Sequence, residues 1–341
     1  MTAPRIQVSI FASCIVRSCF MSSAIKKLDI PTLVPSNSNV EAKKGIFSLV
    51  STNTPLVSTD WNWMLSEASK SGLKRSVQDE IAKWSADRGT KVGKPRWATI
   101  EQRMRSFVHR HIYSLTLADF KEAYDNTIPP LQTLKGKDGK LKAAEDFNSA
   151  VPLNLIFHSL TEQNRQLPTF QVFMDYLKAH PNIMMRDIHA MTKLPVSVLE
   201  GNWLGDRFLR AMRYRLGTAF LSYLREQHFM ITMREEYGIH LAHHFMLDIH
   251  WKIDFLWNGI ALELYLASKQ FKDNERGQQE GRKIPCVQMN PHRAIIEVPF
   301  RVRRDSASYN KPWLIVSEHI ERTAMRLRAC DCDHRGVPIK L

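Results

Sequence analysis

Cysteine is scarce in this chain, with five among 341 residues. Cys14, Cys19, Cys286, Cys330 and Cys332 are odd in number and widely scattered, which excludes a disulfide framework and points to a reducing cytoplasm. Long apolar runs are also missing. No stretch reaches the roughly 18 uninterrupted apolar residues that a spanning helix needs. The apolar stretch after Arg5 is interrupted at Arg17, so neither a membrane span nor a secretory leader is expected. There is no P-loop, no dinucleotide fingerprint and no Gly-x-Ser-x-Gly, which argues against a nucleotide-driven motor and against a serine hydrolase of that type. Internal repeats are absent too.

Acidic residues are in deficit. The chain has 34 Asp plus Glu against 48 Lys plus Arg, a net charge of +14. Such a surplus favours a polyanionic partner, nucleic acid above all. It is uneven: residues 1–150 carry +8, while 151–230 and 231–341 carry +3 each.

The pattern along the chain predicts an α+β multidomain protein, mainly helical at first and ending in an α/β domain. Residues 1–58, rich in Ser, Thr, Asn and Pro from residue 21 onward, read as a leader and arm. A basic helical domain is expected over 59–150, with helices over Asp60–Trp84, Thr99–Tyr113 and Leu117–Tyr124. A helical region follows over 151–230. Its Phe170, Phe173, Met174 and Leu177 share one face, and Phe208, Met212, Leu216, Phe220 and Tyr223 form the apolar stripe of a helix expected over Asp206–Gln227. Residues 185–204 have the texture of a helix-turn-helix around Leu194-Pro195. From 231 to 341 strand patterns enter, and Glu318–Ala329 closes the chain as a helix.

The sharpest local signal lies in this last region. His250–Trp257 and Ile260–Leu266 are β-rich runs flanking Asn258-Gly259, the two-residue turn of a hairpin. That turn sets Trp257 against Ile260, Phe255 against Leu262, Asp254 against Glu263 and Lys252 against Tyr265. Lys252, Asp254, Glu263 and Tyr265 then share one face. Two carboxylates about 4.5–5.5 Å apart at Cβ repel each other. A hard divalent cation, Mg²⁺ or Mn²⁺, relieves that repulsion.

Ile-Asp254-Phe, a short turn, then Leu-Glu263-Leu-Tyr265 resembles the PD-(D/E)XK, or restriction-endonuclease-like, nuclease superfamily, in the manner of its compact very-short-patch-repair and transposon-end-cleaving members. The likeness covers about residues 231–320. It implies a restriction-endonuclease-like α/β fold in which Asp254 and Glu263 hold Mg²⁺ and the metal activates water against a phosphodiester. The family's Glu-x-Lys lysine is replaced here by Tyr265. Lys252, directly across the hairpin, is the expected substitute as the water-orienting residue, with Lys269 and Lys272 on the following segment as other sources. Glu235 or Glu236 is the expected third carboxylate.

Other signals point to nucleic acid. Lys91, Lys94, Arg96 and Arg103 belong to a basic stretch interleaved with Trp84 and Trp97 and suit a phosphate backbone. Lys269, Lys272 and Arg276 follow the hairpin and suit phosphate contacts. His240, His243, His244 and His250 cluster without a Glu-x-x-His pattern, so a His-rich strand or helix edge is expected there rather than a metal site. Cys330-Asp-Cys332-Asp-His334 offers three soft ligands and no fourth.

The sequence therefore predicts a Mg²⁺- or Mn²⁺-dependent DNA endonuclease of the cytoplasm, suited to mobile-element processing or defence against foreign DNA. A homodimer or a separate targeting protein would supply the rest of its specificity. A non-catalytic DNA-binding regulator or replication accessory fits the same charge, as does an RNA-binding component.

Overall fold

The computed structural model describes residues 55–70, 74–86, 97–127, 151–180, 207–245, 247–248, 253–257, 260–266, 295–300, 314–315 and 317–330. They are mostly helical, with one small mixed sheet. Among them, no helix is long and apolar enough to cross a membrane.

Helices α1 (Trp61–Lys70) and α2 (Lys74–Ala86) occupy the span expected as one helix. Asp60 starts α1 by accepting from the Trp63 backbone N–H at 2.8 Å. Helix α3 (Trp97–Ser106) buries Ile100, Glu101 and Met104, an i, i+1, i+4 set facing inward. Glu101 is no stray buried charge. It pairs with Arg105 one turn on and accepts from Ser85 Oγ of α2 at 3.2 Å. Arg105 also lies over the Trp61 ring, 4.9 Å from its centroid.

The second predicted helix stops at Ser106, and the chain makes a separate 3₁₀ turn at His111–Ser114. Glu162 explains that turn. Its carboxylate accepts from the backbone N–H groups of Arg110, His111 and Ile112 at 2.8–3.0 Å. Helix α4 (Leu117–Asn126) begins with a capping box between Thr116 and Asp119.

Helices α5 (Leu153–Asn164) and α6 (Phe170–Ala179) pack aromatic against aromatic. Phe157 meets Phe173 edge-on at 4.6 Å and stacks on Tyr223 at 5.2 Å. Tyr223 belongs to α7, a single helix from Arg207 to Tyr237. Of the predicted stripe, Met212, Leu216, Phe220 and Tyr223 are fully buried. The helix runs on past Gln227 and through residue 230, because Phe229, Met230, Ile231 and Met233 are buried in turn. Gly238 ends it in a left-handed conformation (φ 66°) that only glycine adopts without strain.

The hairpin forms in the expected register. Strands β1 (Phe255–Trp257) and β2 (Ile260–Leu266) pair antiparallel, with Phe255 opposite Leu262 and Trp257 opposite Ile260. Strand β3 (Ile295–Phe300) pairs with β2 in parallel, which makes β2 the central strand. Phe255, Leu256 and Trp257 are all buried, so β1 is covered on both faces rather than alternating inside and out. Ala242 bridges to Leu256 beyond it. Helix α8 (Ser317–Cys330) matches the predicted closing helix and buries Ile320, Ala324 and Leu327.

Candidate functional site

Asp254 sits at the open end of the hairpin ladder. Its backbone N–H donates at 3.0 Å to the carbonyl of Leu262, the residue paired with Phe255, so the regular ladder ends at Phe255 and Asp254 stands just outside it. Its carboxylate accepts from the backbone N–H of Leu264. One oxygen is therefore engaged by strand β2. The residue keeps some exposed surface, but its carboxyl group is enclosed. Burial raises its proton affinity well above the ordinary carboxylate value, and the negative charges of Asp248 and Glu263 raise it further against the Leu264 hydrogen bond. On β3, Glu297 holds the register position beside Glu263.

A further carboxylate comes from α7. Glu226 is raised well above its ordinary value, first by burial and then by Asp254 and Asp248. Arg225 and the hydroxyl of Ser222, 3.5 Å away, oppose the shift only in part. Asp248 is steadied by the side-chain amide of Asn154 on α5. Asp248 and Asp254 thus both act on Glu226, and Asp248 and Glu263 both act on Asp254, one oxygen of which is engaged by the Leu264 N–H. Sequence reasoning expected the extra carboxylate at Glu235 or Glu236. Glu235 instead accepts from the Leu117 N–H at the start of α4 and pairs with Arg234, and Glu236 is exposed. Glu226 escaped notice because it flanks the apolar stripe of a helix, where one acidic residue looks like solvent-facing decoration.

Behind Asp254 lies a second group that the sequence did not disclose. His109, His158 and His243 each offer a ring nitrogen, all within 4.8 Å of one another. They are 0%, 0% and 1% exposed. His158 and His243 stack at 4.4 Å with 14° between planes, and His109 meets His243 edge-on at 5.0 Å. Both ring nitrogens of His109, both of His158 and Nε2 of His243 are buried without a hydrogen-bond partner. A buried orphan of this kind costs about 1–3 kcal/mol. Burial lowers the proton affinity of all three, with their mutual repulsion adding to the effect at His109 and His158. The rings are therefore neutral, the form that binds metal.

His243 is held by its backbone. Its N–H donates to the Tyr113 hydroxyl at 2.9 Å, and Thr59 Oγ1 donates to its carbonyl at 2.6 Å. Its Nδ1 lies 2.9 Å from the Asp254 carbonyl oxygen. A carbonyl only accepts, so Nδ1 carries the proton and Nε2 keeps its lone pair. Both His243 and His244 are buried. Their partners His109 and His158 come from distant segments. In sequence, each is a lone histidine beside a phenylalanine, Phe107 and Phe157 respectively, which gives no ligand spacing to read.

The other sequence-predicted residues are only partly in view. Lys252, Lys91, Lys94, Arg96, Lys269, Lys272, Arg276 and the 185–204 segment lie outside the described residues. Tyr265 is on β2. Arg103 is half-buried on α3, where its charge acts on Tyr176 of α6, and Arg105 is occupied by Glu101 and Trp61. Of the predicted basic stretch, Lys83 and Arg110 are exposed. Comparison with family models, curated proteins and solved structures finds no match for this chain.

Proposed function

We propose that the protein is a divalent-metal-dependent DNA endonuclease, with Asp254 and Glu263 as Mg²⁺ or Mn²⁺ ligands and Glu226 as the additional carboxylate. One observation carries this reading: Glu226 on a helix and Asp254 at the hairpin are both buried carboxyls, and the charge of Asp254 raises the proton affinity of Glu226. Natural folds leave such repulsion in place where a cation offsets it. The residues fit a hard cation, because the donors are carboxylate oxygens and the remaining oxygen of Asp254 is available. The metal would lower the pKa of a bound water and neutralise charge on the phosphoryl group.

The chain's own residues divide the remaining work. Leu264 N–H fixes the Asp254 carboxylate, and Asn154 orients Asp248. Lys252 remains the proposed water-orienting group. The net charge of +14 would draw DNA to the protein, with Lys91, Lys94, Arg96, Arg103, Lys269, Lys272 and Arg276 as proposed phosphate contacts. Cutting both strands needs two such sites, which a homodimer or a separate targeting protein would bring. The scarce cysteines suit a reducing cytoplasm. A DNA-binding regulator or replication accessory is the second reading, favoured by Tyr265 standing where the family has lysine.

The test is nicking of supercoiled plasmid in Mg²⁺ or Mn²⁺. The nuclease reading expects cleavage by wild type and none by Asp254→Asn or Glu263→Gln. Plasmid binding without cleavage in either metal would favour the regulator.

A further inference from the structure

We propose that His109, His158 and His243 bind one zinc ion, forming a structural centre beneath the carboxylate hairpin. Three independent features point to this site. The nitrogens converge within 4.8 Å from three stretches of chain. Five ring nitrogens of this set lack any partner in a region closed to water. The His243–Asp254 hydrogen bond, meanwhile, sets the tautomer that leaves Nε2 free to ligate.

The ligand class follows from the donors. Three neutral imidazoles are borderline-soft and suit Zn²⁺ rather than Mg²⁺, which takes oxygen. Zinc–nitrogen bonds of about 2.0–2.1 Å put tetrahedral ligand atoms roughly 3.4 Å apart. His158 and His243 are stacked with 14° between planes, so binding one ion would require one of these rings to turn out of the stack. The ring of His244 stands 5.5 Å from that of His109, outside the set of three converging ligands. Asp248 lies within electrostatic reach of His243, which offsets the ion's charge.

Position gives the centre its role. His109 follows α3, His158 lies in α5, and His243 precedes the hairpin. Zinc would tie these three segments together and pin the backbone of Asp254 through His243. This metal is distinct from the cation proposed for the carboxylates, and it would be present in a protein that never cuts DNA.

The experiment uses the full chain, purified without a polyhistidine tag. Elemental analysis after dialysis should find about one zinc per chain. A strong chelator should lower the melting temperature, and added Zn²⁺ should restore it. Co²⁺ in place of zinc should give the visible absorption of a tetrahedral site. His109→Gln and His158→Gln should each reduce bound metal at least tenfold, whereas Asp254→Asn should retain it. If the glutamine variants fail to fold, chelation and re-addition on wild type still decide. A folded, metal-free wild type whose melting temperature ignores both chelator and Zn²⁺ would overturn the centre. So would zinc retained in full by folded His109→Gln and His158→Gln.

Discussion

The imidazole of His243 donates from Nδ1 to the backbone carbonyl of Asp254 over 2.9 Å. This bond joins the two chemically distinctive groups of the molecule. On one side lies a dry cluster of neutral histidines, on the other a set of crowded carboxylates. Neither group is well satisfied by protein atoms alone, and each calls for a cation of a different kind.

Asp254 has two separable duties, and two substitutions part them. Asp254→Asn keeps an oxygen for the Leu264 N–H and should fold with nearly wild-type stability. Asp254→Ala leaves that N–H without its partner and should cost about 1–3 kcal/mol. Urea unfolding followed by circular dichroism reads the difference. Both variants should lose metal-dependent cleavage.

Glu226→Gln should relieve repulsion with Asp254 and Asp248 in the metal-free protein. The expected result is a melting temperature equal to or above wild type, together with metal affinity weakened by about 10–100-fold. Differential scanning calorimetry and a Mn²⁺ titration on the same preparation check the pair. A lower melting temperature with unchanged affinity would make Glu226 a structural residue only.

Tyr113→Phe removes the acceptor for the buried His243 N–H. It should cost about 1–3 kcal/mol in chemical denaturation. Because the same hydroxyl steadies His243, zinc should also leave the variant faster in a chelator-exchange assay.

Glu162 anchors the 3₁₀ turn with both of its oxygens. Oε1 accepts from Arg110 and Ile112, and Oε2 from His111. Glu162→Ala should destabilise by about 2–4 kcal/mol, since three N–H groups lose a charged acceptor. Glu162→Gln should fall between, because its amide nitrogen cannot accept from the third N–H. Equilibrium denaturation of the three proteins gives the order.

Local order was legible wherever local rules decide it. Asn258-Gly259 set the hairpin register, and the spacing of Phe170, Phe173, Met174 and Leu177 marked the buried face of α6. The end of α7 was misjudged because its last turns carry Arg234, Glu235 and Glu236, whose polarity masks the buried Phe229, Ile231 and Met233. Arg234 donates to the carbonyls of Tyr113 and Leu115 and so serves a distant turn. The 3₁₀ turn at His111 likewise depends on a tertiary partner, Glu162. The histidine cluster was hidden for the same reason. Its members are 49 and 85 residues apart, and periodicity reports only neighbours along one element.

The central claim is that carboxylates from α7 and the hairpin hold a divalent cation. Titration of zinc-loaded protein with Mn²⁺, followed by electron paramagnetic resonance, tests it most directly. The account predicts saturable Mn²⁺ binding that Mg²⁺ displaces and that Asp254→Asn and Glu263→Gln each abolish. Wild type that binds no Mn²⁺, or variants that bind it as well as wild type, would contradict the account.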